Sequence, residues 1–240
     1  MMRFPRGRWL WRRGVLPALI FLLALAAGGW LWMGGRQCPA QPLKTIALGR
    51  QPTGIALDER AGRAAVINTG SASVTMLDTR DGAVVATVVM GRSRRASRTS
   101  NQLPLAVAMD GRTGHTFVAG SGPGGPNFSG VSTLDTRQGG VLRNVQIPGI
   151  VRGIAVDERI GRAFVLTDVA FSKPARGGVT ILDTGSGAVL RTVPVGVDPV
   201  AIAVDTRAER VLVINQGAAF FAGAGTVSVL DARDGAAVRR

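Results

Sequence analysis

The chain has 240 residues, with 29 Lys and Arg against 15 Asp and Glu, and a formal net charge of +14. A single cysteine and a single histidine leave no intrachain disulfide and no zinc or haem-attachment spacing. So basic a chain first suggests nucleic acid, but tyrosine is absent and aromatic residues are only 5% of the total, so no arginine–aromatic platform for bases exists.

Residues 1–13 contain five arginines: Arg3, Arg6, Arg8, Arg12 and Arg13. Residues 14–35 then carry no charge at all. As a helix this stretch would span about 33 Å, against a hydrocarbon layer of about 30 Å. Trp9 and Trp11 flank one end and Trp30 and Trp32 the other, as interfacial belts do. The pattern predicts a single transmembrane signal-anchor helix. Arginines before it keep the N-terminus cytoplasmic and place the rest of the chain outside. A cleaved secretory signal ending near Ala24-Leu25-Ala26 is the alternative, and it exports the same domain. In the linker, residues 36–42, Cys38 follows Arg and Gln where a lipoprotein signal needs small residues, and it is read as a spectator.

From residue 43 to the C-terminus the sequence repeats itself. Residues 74–91, VTMLDTRDGAVVATVVMG, and residues 179–196, VTILDTGSGAVLRTVPVG, share 11 of 18 positions. The Leu-Asp pair recurs at Asp78, Asp135, Asp183 and Asp231, and a second aspartate precedes each at Asp58, Asp110, Asp157 and Asp205. Each unit of about 48 residues holds four short runs rich in Val, Ile, Leu and Thr. In the third unit these are GIAVD, RAFVLT, GVTILD and AVLRTVPV. Such runs, parted by turn residues, predict strands. Four strands per unit predict an all-β chain, a β-propeller of four-stranded antiparallel blades with about four blades over residues 43–240.

Seven of the eight aspartates are followed four residues later by glycine; the eighth, Asp205, is followed by Glu209. The Asp side chain accepts bonds from backbone N–H groups just ahead while Gly supplies positive φ, so these acids are predicted to close hairpins and not to act as reagents or calcium ligands.

The repeats resemble those of the YVTN-repeat (YncE-like) β-propellers. Pro52-Thr53-Gly54-Ile55-Ala56-Leu57-Asp58, Ala65-Val66-Ile67-Asn68 and Val74-Thr75-Met76-Leu77-Asp78-Thr79 fit that unit, and Gly196, Pro199, Val213-Ile214-Asn215 and Val227-Ser228-Val229-Leu230-Asp231 fit it again. The naming tetrapeptide is degenerate in the middle units, at residues 117–120 and 164–167. The resemblance implies a ring of about seven blades, of which four repeats supply half. A closed four-blade ring, a half-ring that self-associates, and a truncated frame are all open, with the last favoured. Residues 43–48, LKTIAL, look like a spare outer strand able to close a ring on blade four.

If a–b and c–d turns share one face of a propeller, 13 of the 15 acids lie there. The opposite face then holds Asp168 and Asp198 with the longer loops, and it carries Arg50, Arg92, Arg94, Arg95, Arg98, Arg152, Lys173 and Arg176. Arg94, Arg95, Arg98, Arg152, Asp168, Lys173, Arg176, Asn68 and Asn215 are therefore the candidate ligand-binding residues, for an anionic ligand, polymer or protein partner. Some related propellers are calcium lactonases, and Asp168, Asn68 and Asn215 stand at comparable strand ends, yet one acid among three is a poor calcium set. His115, alone at a strand start, is read as a surface residue. No catalytic residue, metal or cofactor is expected. The reading is a non-enzymatic binding or scaffold protein outside the membrane. The alternative is part of a lactonase-like or redox propeller enzyme whose catalytic groups lie in missing blades.

Overall fold

The computed structural model describes residues 44–90, 103–121, 128–168, 176–217 and 224–237. The chain divides into two compact units, Met1–Thr45 and Ile46–Arg240. The predicted membrane helix and its flanks fall outside the described residues. Within those residues, no helix is long and apolar enough to cross a membrane.

Among the described residues, fifteen strands form four antiparallel sheets, each a simple meander. Blade one is β1 (Pro52–Asp58), β2 (Arg63–Asn68), β3 (Ser73–Asp78) and β4 (Val84–Val89). Blade two is β5 (Pro104–Asp110), β6 (His115–Ser121), β7 (Phe128–Asp135) and β8 (Val141–Pro148). Blade three is β9 (Ile150–Asp157), β10 (Arg162–Asp168), β11 (Arg176–Asp183) and β12 (Val189–Val197). Blade four is β13 (Pro199–Asp205), β14 (Arg210–Asn215) and β15 (Thr226–Asp231), with an isolated bridge between Leu230 and Ala237 beside them. The four runs expected in the third unit are the four strands observed there. The first begins earlier, at Ile150, because pairing with β10 resumes beyond a bulge at Arg152 with the register shifted by one residue.

The sheets are sandwiched face to face, which makes every middle strand apolar on both sides. β2, β6 and β10 are almost wholly buried: alternate side chains of β6 and β10 point into different interblade cores, while β2 turns Ala65 and Ile67 into the seam with blade two and Ala64 and Val66 under Ile46 and Leu48. Ala65, Ile67, Val74 and Met76 of blade one meet Met109, Val118 and Leu134 of blade two. Phe117, Ala119, Val131 and Ile147 meet Val151, Ala163, Val165 and Leu182 of blade three. Phe164, Leu166, Val179 and Ile181 meet Val211, Val213, Leu230 and Ala232 of blade four. At about 1.5–3 kcal/mol for each large apolar side chain fully buried, these three seams are the main source of cohesion.

The inner strands lie side by side in the order β1, β5, β9, β13. Three of them begin with proline, whose missing N–H costs nothing at a strand start. Each inner strand carries a bulge after its first or second residue, and the outer strands β4, β8 and β12 carry one near their own start. A bulge twists an edge away from further pairing, so these outer edges resist strand addition.

The row of blades is open at both ends. Ile55 and Leu57 of blade one are 63% and 60% exposed, and Ile214 and Val227 of blade four are 51% and 56% exposed. The ring-closing strand expected at residues 43–48 is not formed. Residues 44–48 have no strand pairing, and Ile46 and Leu48 lie on Ala64, Val66 and Leu77 of blade one. The apolar residues Ile46 and Leu48 cover part of the near face instead of pairing with the far edge.

Candidate functional site: the inner rim opposite the hairpins

All eight repeat aspartates close their own turns. The carboxylate Oδ1 accepts from backbone N–H groups two or three residues ahead: Ala61 for Asp58, Arg80 for Asp78, Arg112 and Thr113 for Asp110, Arg137 and Gln138 for Asp135. The other four do the same, with Arg159 and Ile160 on Asp157, Ser186 on Asp183, Arg207 and Ala208 on Asp205, and Arg233 on Asp231. The seven paired glycines take positive φ, from 61° at Gly62 to 73° at Gly139. Glu209 adopts the same left-handed conformation, at φ 53°, despite its side chain.

The two sets of hairpins differ in what holds the second carboxylate oxygen. At the c–d turns it accepts from the first residue of strand b: Arg63 binds Asp78, Arg162 Nη1 lies 3.0 Å from Asp183, and Arg210 Nη1 lies 2.7 Å from Asp231. Bonds from the Arg80 amide and then from Arg63 hold Asp78 below the ordinary carboxylate range. The Ser186 amide and hydroxyl do so for Asp183, and the Arg233 amide followed by Arg210 for Asp231. In blade two His115 takes the arginine's place. It is half-buried, and its Nδ1 lies 2.7 Å from the Thr184 carbonyl oxygen of blade three. The histidine expected at the surface is thus part of a seam. Arg63, Arg162 and Arg210 open three of the four b runs in the sequence, and that recurrence is the signal for their pairing with the turns.

On the opposite face the bulges define a second recurrent position. The unpaired residues are Thr53, Leu105, Arg152 and Val200, all exposed at the inner rim. Each is matched by a residue 16 positions later that ends strand b or directly follows it, and in two blades the two side chains bond. In blade one the Thr53 and Thr69 hydroxyls are 2.6 Å apart. In blade three the same two positions are Arg152 and Asp168. Arg152 donates from Nε at 2.6 Å and approaches with Nη2 at 2.5 Å, both to Asp168 Oδ2. The Asp168 side chain is 1% exposed and the Arg152 side chain 43%. Asp168 Oδ1 is buried without a hydrogen-bond partner among the described residues. Blades two and four carry Leu105/Ser121 and Val200/Gln216 at the same positions. Among these four pairs, only blade three places charge at the rim, with a guanidinium fixed by a buried carboxylate and turned partly to solvent.

Of the other predicted site residues, Asn68 and Asn215 are fully buried and tied to strand c of their own blades. The Asn68 amide donates to Thr75 Oγ1 at 2.9 Å, and that of Asn215 to Ser228 Oγ at 3.0 Å and Thr226 Oγ1 at 3.2 Å. Each Oδ1 is left without a partner among the described residues. Gly49 and Gly196 pass so close over them that an added Cβ would lie 2.8 Å from Asn68 Cβ and 2.4 Å from Asn215 Cγ, which explains the repeat's glycine. Arg176 opens β11, opposite Val197. Arg94, Arg95, Arg98 and Lys173 lie outside the described residues. Among the described residues, no three His, Cys, Asp or Glu side chains are placed to hold a metal ion.

Stacked four-stranded meanders with inner strands side by side define a β-propeller, and solved structures agree. One match is hydrazine synthase from Kuenenia stuttgartiensis, with TM-score 0.62 and 16% identity over 83% of this chain and 52% of that one. A structure of U3-55K matches with TM-score 0.57 and 10% identity over 82% of this chain and 53% of that one. A complex of KlAtg21 with the coiled-coil of AgAtg16 matches with TM-score 0.50 and 13% identity, over 79% and 55% of the two chains. This chain therefore spans about half the length of the structures it matches. No family model matches the sequence, and no curated protein does.

Proposed function

We propose that the chain is an exported propeller of the YVTN-repeat type, anchored to the membrane by residues 14–35, that works by binding an anionic partner. The observation that carries this reading is the division of charge. On the hairpin face every repeat aspartate is engaged as a backbone acceptor. On the other face Arg152 is held outward by Asp168. In the sequence Arg94, Arg95 and Arg98 fall between β4 and β5, Lys173 falls between β10 and β11, and Arg176 opens β11, and we assign these cations to that face. A guanidinium fixed on one side by a carboxylate keeps free N–H groups for a phosphate, sulfate or carboxylate on the other.

The test uses the full chain in neutral detergent, loaded on beads bearing a polyphosphate and on neutral dextran beads at low salt. Retention on the anionic beads alone is expected, with release as ionic strength rises. Joint reversal of Arg94, Arg95 and Arg98 to Glu should abolish most of that retention. Arg152→Glu should weaken it less, because the remaining cations persist. Equal retention of all three proteins would overturn the proposal.

A further inference from the structure

We infer that the free face of blade four is a docking surface for blade one of a second copy of this chain. Both halves of an interblade seam are present on one molecule, at opposite ends. Toward the next blade, blade three presents Phe164, Leu166, Val179 and Ile181. Blade four carries Leu212, Ile214, Val227 and Val229 at the same strand positions, and the first three are exposed. Toward the preceding blade, blade three presents Ile154, Val156, Ala163, Val165 and Leu182. Blade one carries Ile55, Leu57, Ala64, Val66 and Leu77 at those positions, and Ile55 and Leu57 are exposed.

The turns add polar detail that apolar faces alone cannot. Where blade three docks on blade two, its Glu158 accepts twice: Oε1 from the Gly111 amide at 3.0 Å, and the backbone carbonyl from Arg112 Nε at 2.9 Å. Where blade four docks on blade three, the Thr206 carbonyl accepts from Arg159 Nη1 at 2.9 Å. The same bond recurs at these two of the three seams: the arginine two places after an inner-turn aspartate donates to the carbonyl one place after the next blade's aspartate, whereas Arg60 at the seam of blades one and two makes no such bond among the described residues. Blade four has that arginine in Arg207, exposed and with no side-chain hydrogen bond among the described residues. Blade one has the acceptor in Glu59, within Asp58-Glu59-Arg60-Ala61-Gly62, which differs from the Asp157-Glu158-Arg159-Ile160-Gly161 turn of blade three at one residue. The end that would receive blade four therefore has nearly the same turn as one that already docks on a preceding blade. Asp205 fits the same picture. Asp58, Asp110 and Asp157 are buried, and Asp205, in the inner turn of blade four, is exposed.

Such an interface joins unlike faces, so two copies related by a two-fold axis form two of them and close eight blades, within the usual range for propellers. Ile46 and Leu48 occupy only the Ala64, Val66 and Leu77 part of the receiving face.

The experiment is the mass of the full chain in neutral detergent by light scattering, with the detergent contribution subtracted. A dimer is expected. Ile214→Asp with Val227→Asp should give monomers, and so should Ile55→Asp with Leu57→Asp. Mixing the two variants should restore a heterodimer, because one intact seam remains between them. Arg207→Glu, at an exposed turn where folding is not at stake, should weaken dimerisation at least tenfold. Monomeric wild-type chain would overturn the proposal and leave the faces to another occupant. A dimer indifferent to either pair of substitutions, or mutant monomers that fail to pair on mixing, would also overturn it.

Discussion

The inner hairpins at Asp110 and Asp205 are built by the same local bonds and live in different surroundings. Each carboxylate accepts from the amides two and three residues ahead, at 2.8 and 3.1 Å for Asp110 and 2.9 Å twice for Asp205. Asp110 is nonetheless buried, with Glu158 of the next blade bonded to the adjoining Gly111 amide, while Asp205 is exposed. Hairpin geometry is thus local, whereas burial is conferred by the neighbouring blade. The same contrast separates Phe164, sealed in the seam between blades three and four, from Ile214 on the free face of blade four.

The largest effect should come from that second pair. Phe164→Ala is expected to lower unfolding free energy by about 3–5 kcal/mol, as large-to-small changes in packed cores do. Ile214→Ala should cost well under half as much in the monomer, since that side chain already meets solvent. Urea titrations of both variants measure the difference, and equal losses would erase the distinction between sealed and open faces. A smaller contrast is expected at the hairpins. Asp110→Ala removes the acceptor of the Arg112 and Thr113 amides in a part-buried turn, at a cost of about 1–3 kcal/mol. Asp205→Ala leaves its amides to water and should cost less, as read by the same titration.

Acid sharpens the comparison between turns. Asp78, Asp183, Asp205 and Asp231 are held below the ordinary carboxylate range, first by backbone amides and then, for all but Asp205, by a side-chain partner. A depressed folded value means the stabilisation is complete above the unfolded value of about 3.9 and is lost as pH falls through the folded values. The urea midpoint should therefore stay level from pH 7 to about 5 and drop below about 4. Asp183→Asn should flatten part of that drop, and an unchanged profile would remove the Ser186 and Arg162 contacts as its cause. The smallest effect concerns Glu209, which holds φ 53° where seven hairpins have glycine. Glu209→Gly relieves that strain and gives up an exposed ion pair with Arg233 of little worth. A rise in thermal midpoint of at most a few degrees is expected.

Four blades, their strand content and the occupation of eight aspartates were determined by the sequence itself. Those features rest on bonds spanning two or three residues and on side-chain alternation within a strand, and both repeat at a readable period. Tertiary structure alone decided the rest. Arg152 meets Asp168 only because a bulge at the start of β9 turns the arginine toward the end of β10. His115 became a seam residue because blade three packs beside it, and Ile46 and Leu48 went to the nearest apolar face instead of a distant edge. Which repeat faces are sealed and which stay open depends on neighbours contributed from far along the chain, and a periodic sequence is blind to that because it writes every face alike.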